Sequence, residues 1–219
     1  MELIQTLIDI VLHLDKHLVE LFMQYEGFLY AILFGVIFAE TGLVVTPFLP
    51  GDSLLFAVGA LAAIDTSGTL TAPLLWGLLS FAALLGNTTN YHIGRAIGAG
   101  AFSGRIRFIN VAYLRRTEGW FLRHGAATIV LSRFAPIVRT FAPFVAGVGK
   151  MPYARFQGYN AAGGITWVGL FVWGGYLFGN LPVIKDNFGF VTIGIVLVSM
   201  LPMVVLFVRD RFGAKPDAA

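Results

Sequence analysis

The sequence predicts an all-α polytopic integral membrane protein, and its composition is the first evidence for this fold class. Of the 219 residues, 57% are hydrophobic and only 12% are charged, which is about half the charge of a typical soluble domain. The mean hydropathy is +0.79. The second evidence is a series of long apolar stretches, two of which are interrupted by prolines and charges. The chain has no cysteine, which excludes disulfide bonds, thiolate metal sites and cysteine nucleophiles.

Residues 1–27 predict an amphipathic helix that lies on the membrane surface instead of crossing it. Apolar residues recur at helical spacing, and five acids and one lysine occupy the other face, the pattern of an interfacial helix. The segment lacks the basic start and the small-residue cleavage site of a signal peptide.

Residues 28–64 predict a re-entrant hairpin, or a helix broken in its middle. Two apolar arms flank a stretch that contains Pro47, Pro50 and Gly51, and prolines and glycines end helices. Each arm is shorter than the ~20 residues that are needed to cross the hydrocarbon core. We expect this hairpin to enter the membrane from the outer side.

Three continuous apolar stretches predict helices that span the membrane: residues 70–95, 157–181 and 188–208. Residues 95–123 hold six arginines and one acid, and the polar tail 209–219 also carries basic residues. The positive-inside rule places both of these segments in the cytoplasm. No nucleic-acid recognition motif accompanies the basic stretch, which lies between apolar segments, so we expect no nucleic-acid partner.

Residues 126–149 predict a second re-entrant hairpin, which enters from the opposite face. The last two spans place Lys150 and Arg155 on the cytoplasmic side, so this segment must enter and leave from that side. Two broken segments that enter from opposite faces predict an inverted repeat with discontinuous helices, the arrangement in which transport sites lie near the membrane midplane. We therefore expect residues 28–208 to form a single transport domain.

Four ionisable residues lie inside the predicted hairpins, where each charge costs roughly 2.5–3.5 kcal/mol at the membrane centre. They are Glu40, Asp52, Arg133 and Arg139. Arginine suits fork-like recognition of phosphate, so Arg133 and Arg139 are the predicted phosphate ligands. Glu40 and Asp52 are the predicted proton-coupling groups. Alternatively, the four residues are structural ion pairs, or Asp52 only caps the helix that begins at Ser53.

A polar cluster closes the span at 70–95 and is a candidate support for the charged site. It consists of Asn87, Asn90, Tyr91 and His92, which either bond to neighbouring helices or relay protons through the imidazole. No phosphate-binding loop, nucleophile elbow or zinc-protease motif is present in the sequence. We expect no catalytic residue, no metal site and no cofactor, and therefore no enzyme.

Two strings resemble the signatures of the DedA family. The first is Phe38-Ala39-Glu40-Thr41-Gly42 with the later Pro47–Ser53, and the second is Ser132–Thr140 followed by Ala142-Pro143 and Ala146-Gly147. The family is similar to the eukaryotic VTT-domain proteins, which include lipid scramblases. The resemblance implies a multi-pass protein of the bacterial cytoplasmic membrane with two opposed re-entrant hairpins. Many relatives have Gly-Asp where this chain has Gly86-Asn87, so a charge at position 87 is not needed here.

The resemblance also implies that the family's essential acids and arginines match the four charged residues in the hairpins. Our first hypothesis is a proton-motive-force-linked transporter of a phosphate-bearing lipid, such as undecaprenyl phosphate or a phospholipid, with lipids and protons as its partners. A second hypothesis is a proton-coupled antiporter of small cations, in which the acids bind the substrate. A third is a membrane assembly factor that transports nothing.

Overall fold

The computed structural model describes residues 28–43, 51–65, 68–103, 111–179 and 181. Throughout these ranges the ordered elements are helices, with no β-strand, so the all-α prediction is confirmed for them. The predicted surface helix at 1–27, the predicted span at 188–208 and the tail at 209–219 lie outside the described residues.

The first predicted broken segment contains two short helices. Helix α1 runs over Leu29–Gly42 and helix α2 over Gly51–Ile64, and each has 14 residues. At 1.5 Å per residue each is about 21 Å long, which is shorter than the roughly 30 Å hydrocarbon core. The division into two short arms agrees with the sequence prediction.

Two helices are long and apolar enough to cross a membrane. Helix α3 covers Ala72–Ile97 with 26 residues, and the last described helix, α7, covers Tyr153–Gly179 with 27. They correspond to the predicted spans at 70–95 and 157–181. Helix α7 begins four residues earlier than predicted because the helix start follows Pro152, whereas the apolar run begins only after Arg155.

The second predicted broken segment is also interrupted. Between α3 and this segment lies α4 at Val111–His124, and then α5 at Thr128–Leu131 leads into a 3₁₀ turn at Ser132–Phe134. Ala135 leaves the helical region, with φ −123° and ψ 102°, because the proline that follows it disfavours helical geometry. Helix α6 then covers Pro136–Val148.

Each second arm crosses one long helix at glycines, which allow two helix backbones to approach closely. Helix α2 crosses α7 where a methyl group on Gly59 or Gly175 would overlap the partner's backbone. Helix α6 crosses α3 in the same way at Gly147 and Gly94. The two crossings hold the second arms α2 and α6 against the long helices.

Helix α4 presents its basic residues outward. Leu114 and Thr117 are its buried residues and face α6, whereas Arg115, Arg116 and Arg123 are exposed. This distribution is typical of a helix that lies along a surface with one face packed on the protein.

Candidate functional site

Four charged side chains of the two broken segments lie close together at the ends of their short helices. Glu40 lies in the last turn of α1 and Asp52 in the first turn of α2. Arg133 lies in the 3₁₀ turn before the break at Ala135, and Arg139 in the first turn of α6. Glu40 and Arg133 are only 3% and 5% exposed, so their charges are held away from solvent.

A single guanidinium joins the two acids. Arg139 donates one hydrogen bond from Nη1 to Asp52 Oδ1 at 2.9 Å and another from Nη2 to Glu40 Oε1. Both contacts are ion pairs. The carboxylate of Asp52 is therefore engaged across the bundle, and helix capping alone does not describe its role. Its side chain is 17% exposed, whereas that of Glu40 is 2% exposed.

The second guanidinium has a different environment. Arg133 donates from Nη2 to Asn160 Oδ1 at 3.0 Å, while its buried Nε has no hydrogen-bond partner. Among the described residues no carboxylate forms an ion pair with it. A buried guanidinium without an ion-pair partner is costly to the fold.

Two residues of α7 complete the site, and the sequence analysis did not select either. Asn160 is fully buried, and its Oδ1 also accepts a hydrogen bond from Asn87 Nδ2 at 2.9 Å. The indole of Trp167 lies 5.6 Å from each guanidinium carbon, of Arg133 and Arg139 alike, within range of cation–π attraction. Its Nε1 donates to Asp52 Oδ1 at 2.9 Å.

A spacing signal could have found both residues. Positions 160 and 167 are seven apart, so they lie two turns apart on one face of a helix. A buried amide and a buried indole on the same face of an apolar helix indicate a polar interior. In the sequence, however, tryptophan within an apolar run is typical of a lipid-facing helix as well.

The predicted polar cluster is divided by the structure. Asn87 lines the charged site. Asn90 lies beside it and donates from Nδ2 to the carbonyl oxygens of Thr140 at 2.8 Å and Thr41 at 3.3 Å. These bonds tie α3 to both broken segments, so Asn90 supports the geometry of the site.

Tyr91 and His92 lie away from the charged residues. The Tyr91 hydroxyl donates to the Met151 carbonyl oxygen and accepts from Arg95 at 2.9 Å. His92 is exposed, and its ring packs against Tyr153 with the centroids 5.3 Å apart. The structure therefore places neither side chain in contact with the four charged residues.

A small closed cavity lies between these groups. Its lining residues come from α1, α3, α6, α7 and the 3₁₀ turn: Glu40, Thr41, Asn87, Arg133, Arg139, Thr140 and Trp167. The free volume is about 10 Å³, which is room for about one water molecule. A phosphate group is larger than this volume, so the cavity does not admit one in the present arrangement. Among the described residues no three His, Asp or Glu side chains cluster as metal ligands.

Glycine at position 51 is required by the ion pair between α1 and α6. A methyl group on Gly51 would overlap the Glu40 carboxylate. We expect Gly51→Ala to displace Glu40 from Arg139 and to lower the free energy of unfolding by about 1–3 kcal/mol. Thermal unfolding in detergent measures this loss. The matched control is Gly35→Ala, which meets no atom within 4 Å; equal losses in the two variants would contradict the predicted overlap.

The fold and the buried ionic cluster define the class, a helical membrane protein with a charged site between broken helices. Residues 49–177 match the VTT domain. Protein DedA of Escherichia coli (strain K12) is 48% identical over 219 residues, which cover the whole of both chains. The chain belongs to the DedA family of VTT-domain membrane proteins, which confirms the family predicted from the two signatures.

More distant relatives agree with this assignment. An uncharacterized membrane protein of Mycobacterium leprae is 40% identical over 185 residues, 82% of each chain. Inner membrane protein YqjA of Escherichia coli is 37% identical over 158 residues, 72% of this chain and 70% of YqjA. No solved structure is significantly similar to the chain.

Proposed function

We propose that the protein is a proton-motive-force-linked transporter that moves a phosphate-bearing lipid, such as undecaprenyl phosphate or a phospholipid, across the bacterial cytoplasmic membrane. The observation that carries the proposal is the guanidinium of Arg133, which is buried beside a closed cavity and has no carboxylate partner among the described residues. The name of YqjA as an inner membrane protein supports the location. No covalent chemistry is required of any residue.

The phosphate would replace a carboxylate at the arginines. Asp52 is the more exposed of the two acids, so it is the one that leaves. Its departure frees Arg139 Nη1 and the Trp167 indole N–H, which together with Arg133 Nε are donors for phosphate oxygens. A displaced carboxylate that is left unpaired in the low-dielectric interior would then take up a proton. Lipid binding and proton binding are therefore linked, and each favours the other.

The two broken segments would supply the alternating access. In the proposed arrangement both are re-entrant, they enter from opposite faces, and they are related as an inverted repeat. Support comes from the two equivalent crossings, in which a short second arm packs on a long helix through glycines on both sides. The charged site then lies near the membrane midplane, as in other transporters with discontinuous helices.

Cysteine labelling tests this topology in a chain that has no native cysteine. We expect Thr69→Cys and Arg115→Cys to react with impermeant reagents from opposite sides of the membrane, and Arg115→Cys and Lys150→Cys from the same side. Labelling of Arg115→Cys and Lys150→Cys from opposite sides would make the second broken segment an ordinary crossing, and the inverted repeat would be wrong.

Amide substitutions test the proton coupling. We expect Glu40→Gln and Asp52→Asn to remove most transport together with its dependence on a pH gradient, since an amide cannot exchange a proton. Lipid movement is measured in reconstituted liposomes with and without the gradient. The matched control is Glu118→Gln in α4, an exposed acid. An Asp52→Asn protein whose transport still responds to the gradient would contradict the proposed role of Asp52.

The transport assay also separates the rival functions. Liposomes that contain an enzymatically trapped lipid phosphate report lipid movement, and a pH-sensitive dye reports cation–proton exchange in the same vesicles. We expect lipid movement without cation exchange. Cation exchange that persists in Arg133→Gln would favour the antiporter. Absent lipid movement in the liposomes, together with retained function in cells when all four charged residues are neutralised, would favour an assembly factor.

A further inference from the structure

A second cavity lies on the outer side of the bundle, between α3 and α7. It is an apolar groove with a free volume of about 270 Å³, lined by Trp76, Gly77, Ser80, Phe81, Leu84 and Ile165. Its rim is open to the surroundings, since Phe81 and Ile165 are 55% and 41% exposed. Position 77 leaves part of the groove empty, because a Cβ there would meet no atom within 4 Å.

One end of this groove reaches the charged site. A Cβ on Gly164 would lie 3.3 Å from Leu84 Cδ2 and 3.0 Å from Arg133 Nη2, so these two side chains pack against the same point of α7. The carbonyl oxygen of Leu84 also accepts a hydrogen bond from Asn160 Nδ2 at 3.2 Å. Asn160 in turn holds Arg133. A single leucine side chain therefore separates the apolar groove from the guanidinium.

The wall of the groove carries an unsatisfied hydroxyl. Ser80 is 6% exposed, and its Oγ has no hydrogen-bond partner. Hydroxyl groups in membrane helices usually donate to the carbonyl oxygen one turn earlier. In the same helix Thr88 and Thr89 do so, to Leu84 at 2.7 Å and Leu85 at 3.0 Å. The Ser80 Oγ is buried in the groove wall, so a rotation about the Cα–Cβ bond is needed to direct this free hydroxyl to an acceptor oxygen of an occupant of the groove.

We propose that the groove binds one acyl chain of a phospholipid whose phosphate lies at Arg133, and that Ser80 donates a hydrogen bond to the ester carbonyl of that chain. This proposal rests on the proposed function and specifies that the transported lipid is a phospholipid. Ser80 is one helical turn from Leu84, about 6 Å along the axis, so an ester oxygen and a phosphate of one lipid lie on the same side of α3. A polyprenyl phosphate has no carboxylic-ester carbonyl oxygen to accept this hydrogen bond.

Filling the groove tests whether it holds a chain. Gly77→Leu places a side chain in empty space, and Gly35→Leu makes the same exchange at an exposed position of α1 that also has open space. The probe is dioleoyl phosphatidylglycerol added to detergent-solubilised protein, and the readout is its Kd from the lipid-dependent rise in Tm. We expect Gly77→Leu to weaken binding at least about tenfold and Gly35→Leu to leave it unchanged. Equal affinity in both variants would show that the groove does not bind an acyl chain and would overturn the proposal.

Comparison of ester and ether lipids tests the role of Ser80. We expect the parent protein to bind the diester form about twofold to tenfold more tightly than the matched diether form, the range of one hydrogen bond. Ser80→Ala should abolish this preference. A parent protein without preference, or one that binds undecaprenyl phosphate more tightly than the diester, would overturn the assignment. These binding measurements do not require transport, so absent lipid movement with intact groove binding would contradict the proposed function alone.

Discussion

The exchange of Arg139 for glutamine is expected to lower the free energy of unfolding by about 3–5 kcal/mol and to abolish lipid movement. One guanidinium pairs with both acids, the buried Glu40 and the partly exposed Asp52, and glutamine would leave both carboxylates without their ion-pair partner. The measurements are chemical unfolding in detergent and lipid movement in liposomes. The matched control is Arg155→Gln, an exposed arginine of α7, which should behave like the parent protein.

Arg139→Lys tests whether position 139 requires only a positive charge or also the two parallel donors of a guanidinium. The lysine keeps the positive charge, but an ammonium cannot present two parallel donors to two carboxylates in the way that the guanidinium does. We expect a loss of stability smaller than that of Arg139→Gln, with transport still strongly reduced. A lysine variant with parental stability and transport would mean that only the charge matters at this position.

Arg133→Gln is expected to change the free energy of unfolding by less than about 1 kcal/mol, although it abolishes lipid movement. The variant removes a buried charge that has no ion-pair partner among the described residues, and relief of its desolvation cost offsets the lost hydrogen bond to Asn160. Functional sites commonly hold groups that stability alone would not select.

The contrast between the two arginines is the test of this assignment. If Arg133→Gln destabilises the protein as much as Arg139→Gln, both arginines are structural, and the cavity has no anion-binding role. The control is Arg116→Gln, an exposed arginine of α4, which should change neither stability nor transport. Because both site variants remove one guanidinium, the comparison is matched in charge.

The sequence could predict the broken segments and the charged residues, because prolines, glycines and buried charges are visible as residue types. It could not distinguish Arg133 from Arg139. That difference depends on the backbone at Ala135, where one residue outside the helical region turns the two side chains toward different partners. Pro136 made the helix break predictable, but it does not determine the directions in which the Arg133 and Arg139 side chains point.

The spacing of Asn160 and Trp167 places them on one face of α7, but the sequence does not show which face of α7 meets the broken segments. Glycines determine that contact, since they allow the second arms to reach the long helices. Glycine is frequent in all membrane helices, so the residues at a crossing cannot be separated from the others by composition. The division of the polar cluster follows from the same packing, which directs Asn87 inward and leaves His92 exposed.

The central claim is that the two arginines bind the lipid phosphate in competition with the acids. Its most direct test is the affinity of the purified protein for a lipid phosphate over a pH series, for the parent protein and for Arg139→Lys. We expect parental affinity to rise as the pH falls, until the lipid phosphate itself becomes protonated, and to be at least about tenfold weaker in the lysine variant. Affinities that are equal in the two proteins and constant with pH would contradict the claim.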